Sequence, residues 1–150
     1  VVITANGITF PGSFTFNYNS GSTPSISSIS PSSGVSGQTL TITGSNFVNS
    51  QTTVNVGGVP CSILSVSSTT ITCTVGSSQA GGLSVVATVA GVGRSNGNVM
   101  FQYNLQVSSV TPARGSFGGG QTVTVVGDGF NGSSVSATIC GQACQSVTVI

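Results

Sequence analysis

The stretch Gly37-Gln38-Thr39-Leu40-Thr41-Ile42 returns as Gly120-Gln121-Thr122-Val123-Thr124-Val125, and Ile26-Ser27-Ser28-Ile29-Ser30-Pro31 returns as Val107-Ser108-Ser109-Val110-Thr111-Pro112. The period is roughly 81 to 85 residues, so the chain is built from a repeated unit. Within each copy Thr alternates with Leu, Ile or Val, the period-two pattern of a half-buried strand. The alternation also runs through Thr53-Val54-Asn55-Val56 and Thr70-Ile71-Thr72-Cys73-Thr74, and no helical periodicity of useful length appears. Turn residues close these runs at Ser32-Ser33-Gly34, Gly57-Gly58-Val59-Pro60, Ala80-Gly81-Gly82, Ser95-Asn96-Gly97-Asn98 and Gly118-Gly119-Gly120. Many short strands between Gly-rich turns predict an all-β sandwich.

Two further matches set the phase of the repetition. Gly44-Ser45-Asn46-Phe47 is answered by Gly127-Asp128-Gly129-Phe130, with Asn or Gly where the backbone needs φ > 0. Val1-Val2-Ile3-Thr4 through Phe14-Thr15-Phe16-Asn17-Tyr18-Asn19 is similar to Val85-Val86-Ala87-Thr88 through Val99-Met100-Phe101-Gln102-Tyr103-Asn104. Residues 20–105 therefore hold one complete repeat, its signature starting near residue 24. Residues 1–19 read as the last two strands of a preceding repeat, and residues 106–150 as the first strands of a following one without its final hairpin. Neither end piece is large enough to close a core alone, and an unfinished sandwich leaves an open sheet edge.

Composition removes most chemistry. The 150 residues carry three charged side chains, Arg94, Arg114 and Asp128, and no His. Acid and base catalysis, nucleophilic triads and carboxylate cages for cations need such groups in numbers, so no enzyme, catalytic residue, metal site or cofactor is expected. A net charge of +1 cannot neutralise a run of phosphates, which argues against nucleic acid and anionic membrane surfaces as partners. No apolar run reaches the roughly 18 to 20 residues of a membrane span. The first residues show no signal peptide, so the chain is expected to begin at a mature end or as a cut from something longer. Ser and Thr together make up roughly a third of the chain and 37% of residues are apolar in regular patterns, which favours a folded β protein over disorder. With so little charge, self-association is weakly opposed.

Ile29-Ser30-Pro31-Ser32-Ser33-Gly34, Gly37 through Phe47, Val56-Gly57-Gly58-Val59-Pro60-Cys61 and Ile71-Thr72-Cys73 together resemble the IPT/TIG repeat. That is the immunoglobulin-like module of plexins, Met-type receptors, fibrocystin-like proteins and many surface proteins. The resemblance covers almost the whole chain. It implies immunoglobulin-like β-sandwich repeats in tandem, one complete and two partial, in an extracellular or cell-surface array. It also implies a disulfide between Cys61 and Cys73, which suits an oxidising compartment. DNA binding, known for some members, is disfavoured by the missing basic loops.

The third copy departs from that pattern. Cys144 matches Cys61, but Cys140 stands where the central copy has Gly57. Cys144 either waits for a partner outside the chain or bonds Cys140 across the tight turn, and the second is the expectation here, using all four cysteines. Asn131-Gly132-Ser133 is the only Asn-x-Ser/Thr acceptor and is expected in an exposed loop open to glycosylation. Asp128, with no second acid, is expected to stabilise its turn rather than bind calcium. Arg94 and Arg114 are expected in loops. Phe14, Phe16 and Tyr18 alternate on one strand, so they and Phe10, Phe101 and Tyr103 are expected to pack in a core rather than stack on sugars.

The leading expectation is a structural protein: a building block of an extracellular filament or surface array, joined head to tail to copies of itself or to adjacent repeats. Val1, Val2, Ile3, Phe14, Phe16 and Tyr18 would form its assembly strands. The alternative is the stalk or ligand- or carbohydrate-binding module of a receptor or adhesin.

Overall fold

The computed structural model describes residues 2–9, 12, 15, 21–96, 98–132 and 134–149, and among them there is no helix. Val1, Phe10, Phe14, Phe16 and Tyr18 lie outside the described residues. Near the N-terminus β1 (Thr4–Ala5) and β2 (Ile8–Thr9) form a hairpin. Asn6 and Gly7, at φ 50° and 78°, make its two-residue turn. This is the Asn-Gly pair whose twist matches that of two antiparallel strands. Val2, Ile3 and Ile8 are exposed on it.

The central repeat contributes β3 (Ser25–Ser30), β4 (Ser33–Gly34), β5 (Thr39–Ser45), β6 (Thr52–Val56), β7 (Val59–Val66), β8 (Thr70–Thr74), β9 (Gly81–Val89), β10 (Gly93–Arg94) and β11 (Met100–Tyr103). Hydrogen bonding runs β3-β5-β8-β7-β6-β9-β11-β4, with β10 on β9. Every pairing is antiparallel except β11 with β4. The long strand β7 joins the two layers. Its first residues, Val59 to Cys61, pair with β6, and Ser62 to Val66 pair with β8. One layer is thus β3-β5-β8 with the end of β7, and the other is β6-β9-β11-β4 with its start.

Alternation along these strands sends one set of side chains between the layers. Leu40, Ile42 and Ile71 from the first layer meet Val54, Val56, Val85, Ala87, Phe101 and Tyr103 from the second, and all are buried. Phe101 and Tyr103 meet edge to face with centroids 6.3 Å apart, so both belong to the core and neither offers a sugar-stacking face. Each of the Leu, Ile, Val and Phe side chains among them contributes about 1.5 to 3 kcal/mol by leaving water. The result is an immunoglobulin-like β-sandwich.

Two expectations about loops are corrected here. Gly81 and Gly82 open β9 instead of forming a turn, and Arg94 lies on the short strand β10, held by pairing with Thr88 on β9 while its side chain stays exposed.

The third repeat copies the start of the second. Strands β12 (Gln106–Thr111) and β13 (Thr124–Asp128) pair with a bulge between Val107 and Ser109, as β3 and β5 pair with a bulge between Ile26 and Ser28. The strand begins at Thr124, three residues later than the Gln121 its alternation suggested. Gly44 and Gly127 occupy the same place. An added Cβ would run into the carbonyl of Ser25 in one copy and of Gln106 in the other, with the ring of Phe47 or Phe130 beside it. Both Ser30-Pro31 and Thr111-Pro112 are cis.

What differs is cover. Ile42 and Val56 are 0% and 2% exposed, whereas their counterparts Val125 and Ile139 are 43% and 49% exposed. The described residues of the third repeat hold no counterparts of β8, β9 and β11, so of the second layer only the short hairpin of residues 138–143 is represented.

The last hairpin, β14 (Thr138–Ile139) with β15 (Gln142–Ala143), corrects the cysteine expectation: Cys140 and Cys144 are not bonded to each other. Cys140 and Gly141, at φ 50° and 81°, are the two turn residues. The Cys144 amide donates to the Ala137 carbonyl at 2.9 Å, so Cys144 faces Ala137 down the ladder instead of facing the tip where Cys140 stands. A two-residue turn pairs residues 139 with 142 and 138 with 143, and leaves 140 and 144 out of register.

Candidate functional site at the repeat junction

The chain's only acid stands where the second and third repeats meet. Asp128 ends β13, on the turn Gly127-Asp128-Gly129-Phe130, and its carboxylate points into the end of the central sandwich. Three separate elements of that sandwich donate to it. The Ser36 amide, in the β4–β5 loop, reaches Oδ2 at 2.7 Å, and the Tyr103 hydroxyl, at the end of β11, reaches the same oxygen at 2.7 Å. The Ser77 hydroxyl, in the β8–β9 loop, donates to Oδ1 at 3.4 Å. The Gly129 amide donates to Oδ1 at 3.0 Å, which is the turn-stabilising bond the sequence led us to expect.

Backbone contacts flank this centre. The Ala80 amide donates to the Gly129 carbonyl at 3.0 Å, and Gln79 bridges to Gly129 and Phe130. Gly129 is required: its φ is 89°, and a Cβ there would press on the Asn104 carbonyl and the Cα of Leu105. The equivalent turn of the central repeat holds Asn46 at φ 61°, whose amide group donates to the Gly21 and Thr23 carbonyls at 3.0 and 2.9 Å. The two turns thus make different ties: Asn46 holds the segment leading into its own repeat, and Asp128 holds the repeat before it.

Charge-assisted bonds of this kind are worth more than neutral ones. Burial pushes the Asp128 carboxyl up, but the Ser36 amide, the Tyr103 hydroxyl, the Ser36 side chain and the Gly129 amide outweigh it and hold the group below the ordinary aspartate range. Burial, then the bond to Asp128, pushes the Tyr103 hydroxyl up, so it stays protonated as the donor. A carboxyl whose pKa is lowered by the fold stabilises it above the unfolded value. The junction is therefore at full strength at neutral pH, and its contribution is lost as the pH falls through the lowered Asp128 value.

The sequence did not reveal this role. The available signal was the replacement of Ser45 by Asp128 within an otherwise matching turn. Tyr103 was assigned to the core and does lie there, but its hydroxyl extends from the core to the next repeat. Ser36 and Ser77 carried no signal among so many serines.

Other sequence-derived sites fall around this centre or away from it. Asn131 is exposed beside the junction and its Nδ2 donates to the Ser77 hydroxyl at 3.2 Å, while Ser133 lies outside the described residues. Cys61 and Cys73, both buried, are joined by a disulfide with Cα atoms 5.5 Å apart, tying β7 to β8. Arg114 is exposed in the β12–β13 loop. Among the described residues no group of three or more His, Cys, Asp or Glu side chains gathers as a metal site would require.

Comparison with known proteins agrees with this geometry. The IPT/TIG domain matches residues 24–103 and again 105–150. Human fibrocystin-L is 34% identical over 146 residues, covering 96% of this chain and 3% of the relative. Mouse fibrocystin-L is 35% identical over 144 residues, covering 95% of this chain and 3% of the relative. The chain therefore spans only a few per cent of these curated relatives. Among solved structures, the full extracellular region of plexin A4 is 26% identical with a TM-score of 0.50, over 59% of this chain and 8% of that one. One complete sandwich and the opening strands of a second, joined through one turn and both matched by one family model, make the conclusion plain: this chain belongs to the IPT/TIG domain family.

Proposed function

We propose that this chain is a length of stalk from an extracellular, cell-surface protein, in which consecutive IPT/TIG repeats are held at a set angle by hydrogen-bonded junctions. The observation that carries this reading is the Asp128 carboxylate, which takes bonds from three separate elements of the preceding repeat. A floppy linker would leave such a group to water. The likeness to fibrocystin-L and to the plexin A4 extracellular region supports the location, as does the buried disulfide. The family is a non-catalytic one and we infer no enzymatic activity. Adjacent repeats are the partners this reading needs, with glycans on Asn131 as an addition.

A second reading, a filament of separate subunits whose strands complete one another, is favoured by the exposed apolar faces of the first hairpin and of the third repeat. Register weakens it. Residues 106–150 match 25–67 and residues 1–19 match 85–104, so the pair lacks the counterparts of 68–84. Those counterparts include β8, the strand between β5 and β7. Completion by residues 1–19 of another copy would leave that slot empty.

Electron microscopy of the native material, with the mass of the dissociated chain, separates the two. The stalk reading expects short rods of evenly spaced modules on a chain far heavier than 14.7 kDa. Long regular filaments that dissociate into chains near 14.7 kDa plus sugars would replace it with the filament reading.

A further inference from the structure

The loop that receives Asp128 in the central repeat has a counterpart in the third, and among the described residues none covers it. The equivalence is visible in packing. A Cβ on Gly34 would meet Oε1 of Gln38, and a Cβ on Gly115 would meet Oε1 of Gln121, at 2.9 and 2.8 Å. Between these anchors the central loop has Val35-Ser36-Gly37, whereas the third has Ser116-Phe117-Gly118-Gly119-Gly120, two residues more.

Three features set the longer loop apart. Phe117 is 112% exposed, its ring wholly in water. Arg114, one of two cations in the chain, stands where the central repeat has Ser33. Arg114, Gly115, Ser116, Gly119, Gly120 and Gln121 line a shallow hollow. Gly119 and Gly120, at φ 72° and 75°, turn the backbone there.

We propose that this loop is the docking surface for the next IPT/TIG repeat, and that it takes an acidic side chain from that repeat's turn. The surface continues the interface between the second and third repeats. The same loop, one repeat earlier, gives its Ser36 amide to Asp128 of the repeat that follows. In the third repeat an arginine is added at that place, and a guanidinium beside backbone amides suits a carboxylate. Phe117 is the apolar contact that the junction buries. The inference rests on the stalk reading and deepens it by naming the partner's chemistry.

The test extends the full chain by a second copy of residues 68–150 placed after Ile150. Residues 68–105 of that copy supply the counterparts missing from the third repeat, and residues 106–150 then begin a fourth repeat carrying a second Asp128. Amide hydrogen exchange is read at Ser36, as the internal standard, and at Phe117 and Gly118. The proposal expects Ser36 to be protected in both chains, and Phe117 or Gly118 to slow by about tenfold or more only in the extended one. Asp→Asn in the second copy alone should return them to fast exchange.

Fast exchange at Phe117 and Gly118 in an extended chain whose Ser36 stays protected overturns the docking surface and leaves the first junction standing. Protection that survives the Asn substitution overturns the acidic partner. Should the extension fail to fold, the loop Arg114–Gln121 is moved into the place of Ser33–Gln38 in the original chain, opposite the Asp128 already there. Protection of the transplanted Phe117 or Gly118 amide that is lost in Asp128→Asn supports the proposal, and its absence overturns it.

Discussion

Gly44→Ala unfolds the central repeat at ordinary temperature, or lowers its stability by about 3 kcal/mol or more. Gly44 pairs with Ile26 beside the bulge of β3, and its φ is not the reason for glycine. The reason is space: the new methyl would enter the carbonyl of Ser25, with the Phe47 ring closing the other side. A flexible side chain would give way, but here the obstacle is the backbone of a paired strand. Urea unfolding followed by circular dichroism measures the loss. A midpoint within a few tenths of the parent's would show that β3 shifts freely and that the bulge is not a fixed feature of the repeat.

Cys61→Ser or Cys73→Ser should cost about 2 to 5 kcal/mol, the usual loss on removing a disulfide from a small extracellular domain. The bond closes a loop with a sequence separation of 12, between a strand that crosses from one layer to the other and its neighbour, and both sulfurs are buried. Cys61 pairs opposite Val54 just before β7 changes partners, so the bond fixes the bend that joins the two layers. Loss of the bond releases that bend and leaves a hydroxyl or thiol in the core. Cys140→Ser is the contrast: its thiol is exposed at a turn tip and unbonded, so the melting temperature should not move. A Cys61→Ser protein that melts with the parent would refute the role given to the bond.

Much of the sandwich was legible because its causes are local. Thr-Leu-Thr-Ile-Thr at residues 39–43 alternates because one face meets the core, and Gly57-Gly58 at φ 60° and 86° is a two-residue turn whose positive φ values glycine adopts without strain. The likeness of the two turns was legible because Gly44 and Gly127 share one steric demand. The cysteine pairing in the third repeat was misread. Spacing placed two thiols near a turn, but register decides which residues face each other, and that depends on whether Cys140 is a turn residue or a strand residue. The start of β13 was also missed, since Gln121 and Thr122 continue the alternation without a partner to pair with.

The junction was the least legible part. Its bonds join residues 92, 51 and 25 positions apart, and hydrogen-bonding serines look alike in a chain so rich in them. Asp128 alone stood out, and only as an exception. Its importance comes from geometry: the ends of two loops and a strand converge where the following turn delivers a carboxylate.

The central claim is that Asp128 fixes the angle between the second and third repeats, and residual dipolar couplings measured on the whole chain at neutral pH test it most directly. One alignment tensor should describe both repeats in the parent, whereas Asp128→Ala, or the parent acidified through the lowered Asp128 value, should need two. A parent that already needs two tensors, or an Asp128→Ala chain that still needs only one, would contradict it.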